Sequence, residues 1–176
     1  MQEISELRET ILRERPVPWE AIPDIPLYMD QVISYMTRQL IDLSGGEKLT
    51  SAMIHNYVKQ GLLPRAEGKR YAREHIAYLT AICMLKQVIQ AKDVGLLLRA
   101  SLAGEDVTAL YGSLTALLDE ELTDAAAILP DEPDTETLAA AALRLAVSSY
   151  ARQLACKRLL TLMESSGETR QAPGNK

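Results

Sequence analysis

Between Met29 and Leu43 the apolar positions recur at intervals of three and four: Met29, Val32, Ile33, Met36, Leu40 and Leu43 form one stripe of an amphipathic helix. Ser44, Gly45 and Gly46 end that stripe. Thr50 suits the N-cap of a second, shorter helix, whose buried side draws on Met53 or Ile54, Tyr57 and Val58 until Gly61 stops it. The next stretch, LLPRAEGKRY, predicts a turn-bearing hairpin. From residue 72 to about residue 90 apolar side chains occupy two sides at once. Ile76, Leu79 and Cys83 lie on one side and Tyr78, Ile82, Leu85 and Ile89 on the other, so this helix must be covered from two directions. Further helices are expected over residues 92–101, 106–129 and 135–164, the last two separated by PDEPD. Near the N-terminus a helix begun at Glu3 should end by Glu14, because Pro16, Pro18, Pro23 and Pro26 lack the amide a helix needs. An extended arm follows, pinned by Val17, Trp19, Ile22, Ile25 and Leu27.

The pattern makes the chain mainly α. It divides into a helix and proline-rich arm (1–26), a module of short helices with a small β-hairpin (27–102), a helical C-terminal domain (103–164) and a tail expected to be disordered (165–176). With 176 residues and 47% hydrophobic content, the chain can bury a core of one domain or two small ones.

Charge changes the picture locally. The whole chain is acidic, with formal net charge −5, yet residues 48–73 hold six basic side chains (Lys48, Lys59, Arg65, Lys69, Arg70 and Arg73) against the single acid Glu67. Residues 100–143, by contrast, hold ten acids and no Lys or Arg. A basic module beside an acidic one is the charge asymmetry of a nucleic-acid-binding segment.

The residue types suit that reading. A helix, a turn, a short second helix and a basic hairpin compose a winged helix-turn-helix, in which the second helix enters the major groove and the hairpin grips phosphates. Ser51, His55 and Asn56 fall on the early turns of the second helix, where Asn pairs two ways with adenine and His offers a donor or acceptor to guanine. Lys59, Arg65, Lys69 and Arg70 are long cations fit for phosphate, and the Tyr71 hydroxyl is a further candidate contact. The plainer alternative for all of them is a solvated helix face and a charged loop.

The run IHNYVKQGLLP, followed by KRY and a long apolar helix, resembles the MerR-type winged helix over residues 27–102. The wider pattern IPLYMDQVISYM, LTSAMIHNYVKQGLLP and KRYAREHIAYLTAICMLKQV is similar to a bacterial domain-of-unknown-function family, number eighteen thirty-six. The resemblance implies a DNA-binding regulator with a MerR-like fold. It does not carry a base preference, since MerR proteins usually have Arg and Tyr where His55 and Asn56 stand, and their wing is longer than residues 65–70.

Other chemistries find little support. LSGGE at 43–47 mimics a nucleotide-binding signature loop, but no GxxxxGK[ST] accompanies it. His75 and Cys83 share a helix face without the HExxH or comparable pattern of a metal site, and His55 stands apart. Glu120 and Glu121 are adjacent and point apart on a helix, which is unlike an acid/base pair. Cys83 and Cys156 are isolated, as suits a reducing compartment, and no apolar run is long enough to cross a bilayer. The expectation is therefore a cytoplasmic, non-enzymatic transcriptional regulator without metal or cofactor, its effector unknown. Its expected partners are double-stranded DNA and a second copy of itself. The homodimer would form through residues 135–164, where Leu143, Val147, Tyr150 and Leu154 make one stripe and Leu138, Ala142 and Leu145 another. The rival expectation is a protein–protein interaction adaptor whose basic wing docks an acidic surface.

Overall fold

The computed structural model describes residues 2–39, 48–102 and 106–171. The stop at Ser44–Gly46, the LSGGE stretch, Leu40, Leu43 and Glu105 lie outside them. Within the described residues the elements are α1 (Gln2–Arg13), a single 3-10 turn (Trp19–Ala21), α2 (Met29–Met36), α3 (Ser51–Lys59), α4 (Arg73–Leu85), α5 (Ala91–Ser101), α6 (Val107–Ala126) and α7 (Thr135–Gln171).

α4 is the centre, as its two-sided apolar pattern requires. His75, Ile76, Ala77, Leu79, Thr80, Ala81 and Ile82 are all buried, and the helix packs on α2, α5 and α6. It ends at Leu85, earlier than the pattern to residue 90 predicts. Gln87 N–H and Val88 N–H bond back to the carbonyls of Met84 and Leu85 in tighter turns, which bring Ile89 back to the core. α1 and the 3-10 turn pack on α6, and α7 packs on α5. One apolar cluster runs through the molecule from Ile22 in the arm to Tyr111 on α6 and Leu160 on α7. Of the arm residues expected to pin the chain, Ile22 and Leu27 are buried and Val17 and Trp19 pack on the core, but Ile25 is 66% exposed between two prolines.

A buried polar network joins three of these parts. Gln39, 1% exposed, accepts the Val17 N–H through Oε1 at 2.8 Å, and its Nε2 reaches Thr80 Oγ1 and the Tyr111 hydroxyl at 3.3 Å. Tyr111 in turn donates to the Val17 carbonyl at 2.6 Å. Both backbone groups of Val17 are thereby satisfied inside the protein, as buried polar groups must be.

Two expectations need correction. The β-hairpin wing is not formed: the described residues contain no strand, only the isolated antiparallel bridges Leu27–Tyr71 and Glu67–Arg70. Leu62 and Leu63 are buried in the core and Pro64 has no amide, so the first arm of the hairpin is spent on packing instead of pairing. The tail expected from residue 165 is helical at least to Gln171, because α7 continues without interruption through MESSGETRQ.

Candidate nucleic-acid interface

α3 starts at Thr50, whose hydroxyl accepts the Met53 N–H at 3.3 Å. It ends in a Schellman motif: Gly61 takes φ +70°, its N–H reaches the Val58 carbonyl at 3.1 Å, and the Leu62 N–H reaches the Tyr57 carbonyl at 2.9 Å. These two ends and two buried side chains, Ile54 and Tyr57, fix the rotation of the helix. Tyr57 is further held because its hydroxyl accepts from Lys86 Nζ at 3.0 Å, with the ammonium 4.8 Å from the ring centroid. The opposite face is left to solvent. Ser51, His55, Asn56 and Lys59 are all exposed on it, together with Ala52 and Gln60, which sequence reasoning did not single out.

After α3 the chain dips into the core at Leu62 and Leu63 and emerges at Pro64 and Arg65. Residues 67–70 form a tight two-residue turn. Glu67 and Arg70 exchange backbone hydrogen bonds of 3.1 and 2.9 Å around Gly68 at φ +53° and Lys69 at φ +66°, the paired left-handed conformation of a type I′ turn. Lys69 is a side-chain-bearing residue in a region that favours glycine, a strain that the Glu67–Arg70 hydrogen bonds around it must offset.

Three anchors hold this turn in place. At its base, Leu27 and Tyr71 exchange N–H···O=C bonds of 2.9 and 2.8 Å. Beneath it, His75 accepts the Ala72 N–H at Nδ1, 3.0 Å away, which caps α4 and leaves the proton on Nε2 to donate to the Arg65 carbonyl at 3.3 Å. On its flank, Arg70 donates to the Tyr28 hydroxyl at 2.9 Å and stacks 4.9 Å from the centroid of that ring. Neither the Tyr28 contact with Arg70 nor the His75 contact with Arg65 had a local signal, since the partners lie 42 and 10 residues apart.

Of the eight predicted contact residues, Ser51, His55, Asn56, Lys59, Arg65, Lys69 and Arg70 are exposed. Tyr71 is not: it is 5% exposed, edge-on to the His75 ring at 5.4 Å, and burial pushes its phenol above the ordinary tyrosine value. It is a core residue at the base of the turn. Arg73 also leaves the basic surface, lying over the Trp19 ring at 5.4 Å with its Nε buried.

The acidic segment does not neutralise this surface. Among the described residues Asp119 pairs with Arg15 at 2.7 Å, Asp131 with Arg8 at 2.9 Å and Glu121 with Arg152, while no ion pair involves Lys59, Arg65, Lys69 or Arg70. The outcome is a helix face of amide, imidazole and hydroxyl groups, followed in the chain by cations, able to donate to and accept from a polar, anionic surface. Burial raises the Cys83 thiol to about 11, which leaves it protonated at neutral pH and a poor nucleophile. No group of three or more His, Cys, Asp or Glu able to hold a metal ion occurs among the described residues.

Residues 17–114, more than half of the chain, match the family described as Domain of unknown function (DUF1836). The chain belongs to this family. The DUF1836 segment begins at Val17, the arm residue gripped by Gln39 and Tyr111, and ends on α6 at Leu114, just past Tyr111. It thus contains the α3 face, the 67–70 turn and every anchor of that turn. No curated protein and no solved structure matches the chain. No described helix is long and apolar enough to cross a membrane.

Proposed function

We propose that this DUF1836 protein binds duplex DNA as a transcriptional regulator. On this reading α2, α3 and the 67–70 turn act as a helix-turn-helix related to the MerR kind, the short turn standing where a longer wing would. The observation that supports it most directly is the phase of α3, which buries Ile54 and Tyr57 and turns Ser51, Ala52, His55, Asn56 and Lys59 outward together. Asn56 and His55 supply the donor and acceptor pairs that read base edges, and Ala52 between them is small enough to meet a thymine methyl. Lys59, Arg65, Lys69 and Arg70 grip phosphates, and Arg70, already held by Tyr28, loses less freedom on binding than a free side chain does.

The test is fluorescence anisotropy of the full chain with random-sequence duplex DNA, titrated between about 50 and about 200 mM salt. If the four cations each neutralise one phosphate, log affinity falls with a slope of about −3.6 per subunit, so the fourfold rise in salt weakens binding by about 150-fold. Replacing Lys59 and Arg65 by Ala should bring the slope to about −1.8. No binding at the lowest salt, or a salt-independent affinity, refutes the proposal; the former outcome is the one expected of an adaptor that docks an acidic protein.

A further inference from the structure

α7 carries apolar side chains on opposite sides. Its inward side places Ala141, Cys156, Leu160 and Met163 toward the body of the protein, with Gln153 Nε2 bonded to the Val88 carbonyl at 2.8 Å. On the outward side Leu143, Val147, Tyr150 and Leu154 repeat at spacings of four, three and four, and they are 66, 58, 67 and 58% exposed. The exposed Ala139, Ala140, Ala146 and Ala151 flank them, small enough for a second helix to come close. Arg152, which interrupts the heptad in the sequence, points the other way and pairs with Glu121 on α6. The stripe that faces solvent is therefore unbroken. The expected second stripe is not the packed one: Leu138 and Ala142 are exposed, and of its members Leu145 alone is half-buried.

The charges at the two ends of this stripe differ. Glu132, Asp134 and Glu136 are exposed at its start, Lys157 and Arg158 are exposed beyond its end, and no acid occurs between Glu136 and Glu164. We propose that the occupant of the stripe is the α7 stripe of a second copy, running antiparallel. A two-fold axis between Val147 and Tyr150 sets Leu143 of one copy against Leu154 of the other and Val147 against Tyr150. These are the a-to-d layers that an antiparallel pair forms. Arg158 of one copy then lies about 4.5 Å along the axis from the position facing Glu136 of the other, within reach of a guanidinium. In a parallel pair Lys157 and Arg158 meet their own copies and the acids meet acids. Charge therefore selects the antiparallel arrangement, and an isologous contact of this kind closes at two chains. This proposal does not rest on DNA binding, and its test uses none.

The mass of the full chain is measured by light scattering at micromolar concentration without nucleic acid. A dimer is expected for the native chain, and a monomer overturns the proposal. Val147→Glu, at an exposed site, should give a monomer with unchanged helical circular dichroism. A Val147→Glu chain that is folded and still dimeric also overturns it. Should that variant fail to fold, Arg158→Glu replaces it: it should weaken the dimer at least tenfold, and adding Glu136→Arg to the same chain should restore it. No restoration counts against the proposal. Orientation is read by oxidative cross-linking in a Cys156→Ser chain: Leu143→Cys chains mixed with Leu154→Cys chains should form a mixed disulfide, whereas a disulfide between two Leu143→Cys positions refutes the antiparallel register.

Discussion

Tyr111→Phe removes one hydroxyl and leaves the ring, which lies 6.0 Å from Trp19, in place. Tyr111 is 2% exposed, and its hydroxyl both donates to the Val17 carbonyl at 2.6 Å and accepts from Gln39 Nε2 at 3.3 Å. The Gln39 amide keeps Thr80 as a partner, but the Val17 carbonyl loses its donor. A lost hydrogen bond costs about 1 kcal/mol, and a buried polar atom left without a partner adds about 1 to 3 kcal/mol. With one group orphaned and one only weakened, about 2 kcal/mol is the expected loss. For a chain of this size that lowers Tm by about 4 to 8 °C in a thermal melt followed by circular dichroism. Tyr78→Phe is the control, because no hydrogen bond of the Tyr78 hydroxyl occurs among the described residues; it should stay within about 0.5 kcal/mol. Burial raises the Tyr111 pKa above its ordinary 10.0, more than the Gln39 hydrogen bond lowers it. A raised folded pKa means stability that is complete below the unfolded value and lost as pH climbs through the folded one. The native chain should therefore weaken above pH 10, and Tyr111→Phe should remove that part of the alkaline loss. A melting temperature unchanged by Tyr111→Phe at neutral pH would refute the network as a source of stability.

On the proposed function, Asn56→Ala should cost about 1 to 3 kcal/mol on a selected site and little on random duplex, because base contacts discriminate and phosphate contacts do not. Equal losses on both DNAs by anisotropy would remove Asn56 from readout. Lys69→Gly relieves a left-handed residue at φ +66° while deleting a cation, so urea unfolding should show a gain of up to about 1 kcal/mol even as the salt slope of DNA binding becomes shallower by about 0.9. Loss of stability in that variant would show that the Lys69 side chain contributes a contact in the folded chain.

Helix phase was legible because burial repeats with the helical period. On α3 the sequence left Met53 or Ile54 open beside Tyr57 and Val58, and the structure buries Ile54 and Tyr57, which sends Asn56 outward. The two-sided pattern of α4 likewise located the centre of the fold. Legibility failed where a partner is distant in sequence. Nothing near Gln39 marks it as the hub between Val17, Thr80 and Tyr111, since an isolated Gln after an apolar stripe reads as solvated. On α7 the sequence offered two adjacent stripes, and the covered side, with Ala141, Cys156, Leu160 and Met163, is neither of them. Which side is covered depends on distant parts of the chain, through contacts such as Gln153 with Val88 and Arg152 with Glu121 on α6.

The 67–70 turn shows how local chemistry and tertiary context divide the work. Glu-Gly-Lys-Arg encodes a reversal of the chain, and the reversal forms, with Gly68 and Lys69 both left-handed. A strand pair needs more, because each residue beyond the turn must find a partner across from it. Leu62 and Leu63 gain more from burial in the core than from one ladder, since a fully buried leucine side chain contributes about 1.5 to 3 kcal/mol and a net backbone hydrogen bond about 1 kcal/mol. Tyr71 therefore pairs with Leu27, 44 positions earlier, and not with the residues leading into its own turn. The turn is tied to the start of α2 through Leu27 and Tyr28 and to the start of α4 through His75. A surface so placed does not need a long hairpin to hold its cations. In the proposed DNA contact, reach is set by the side chains of Lys69 and Arg70, and rigidity by Tyr28 and His75.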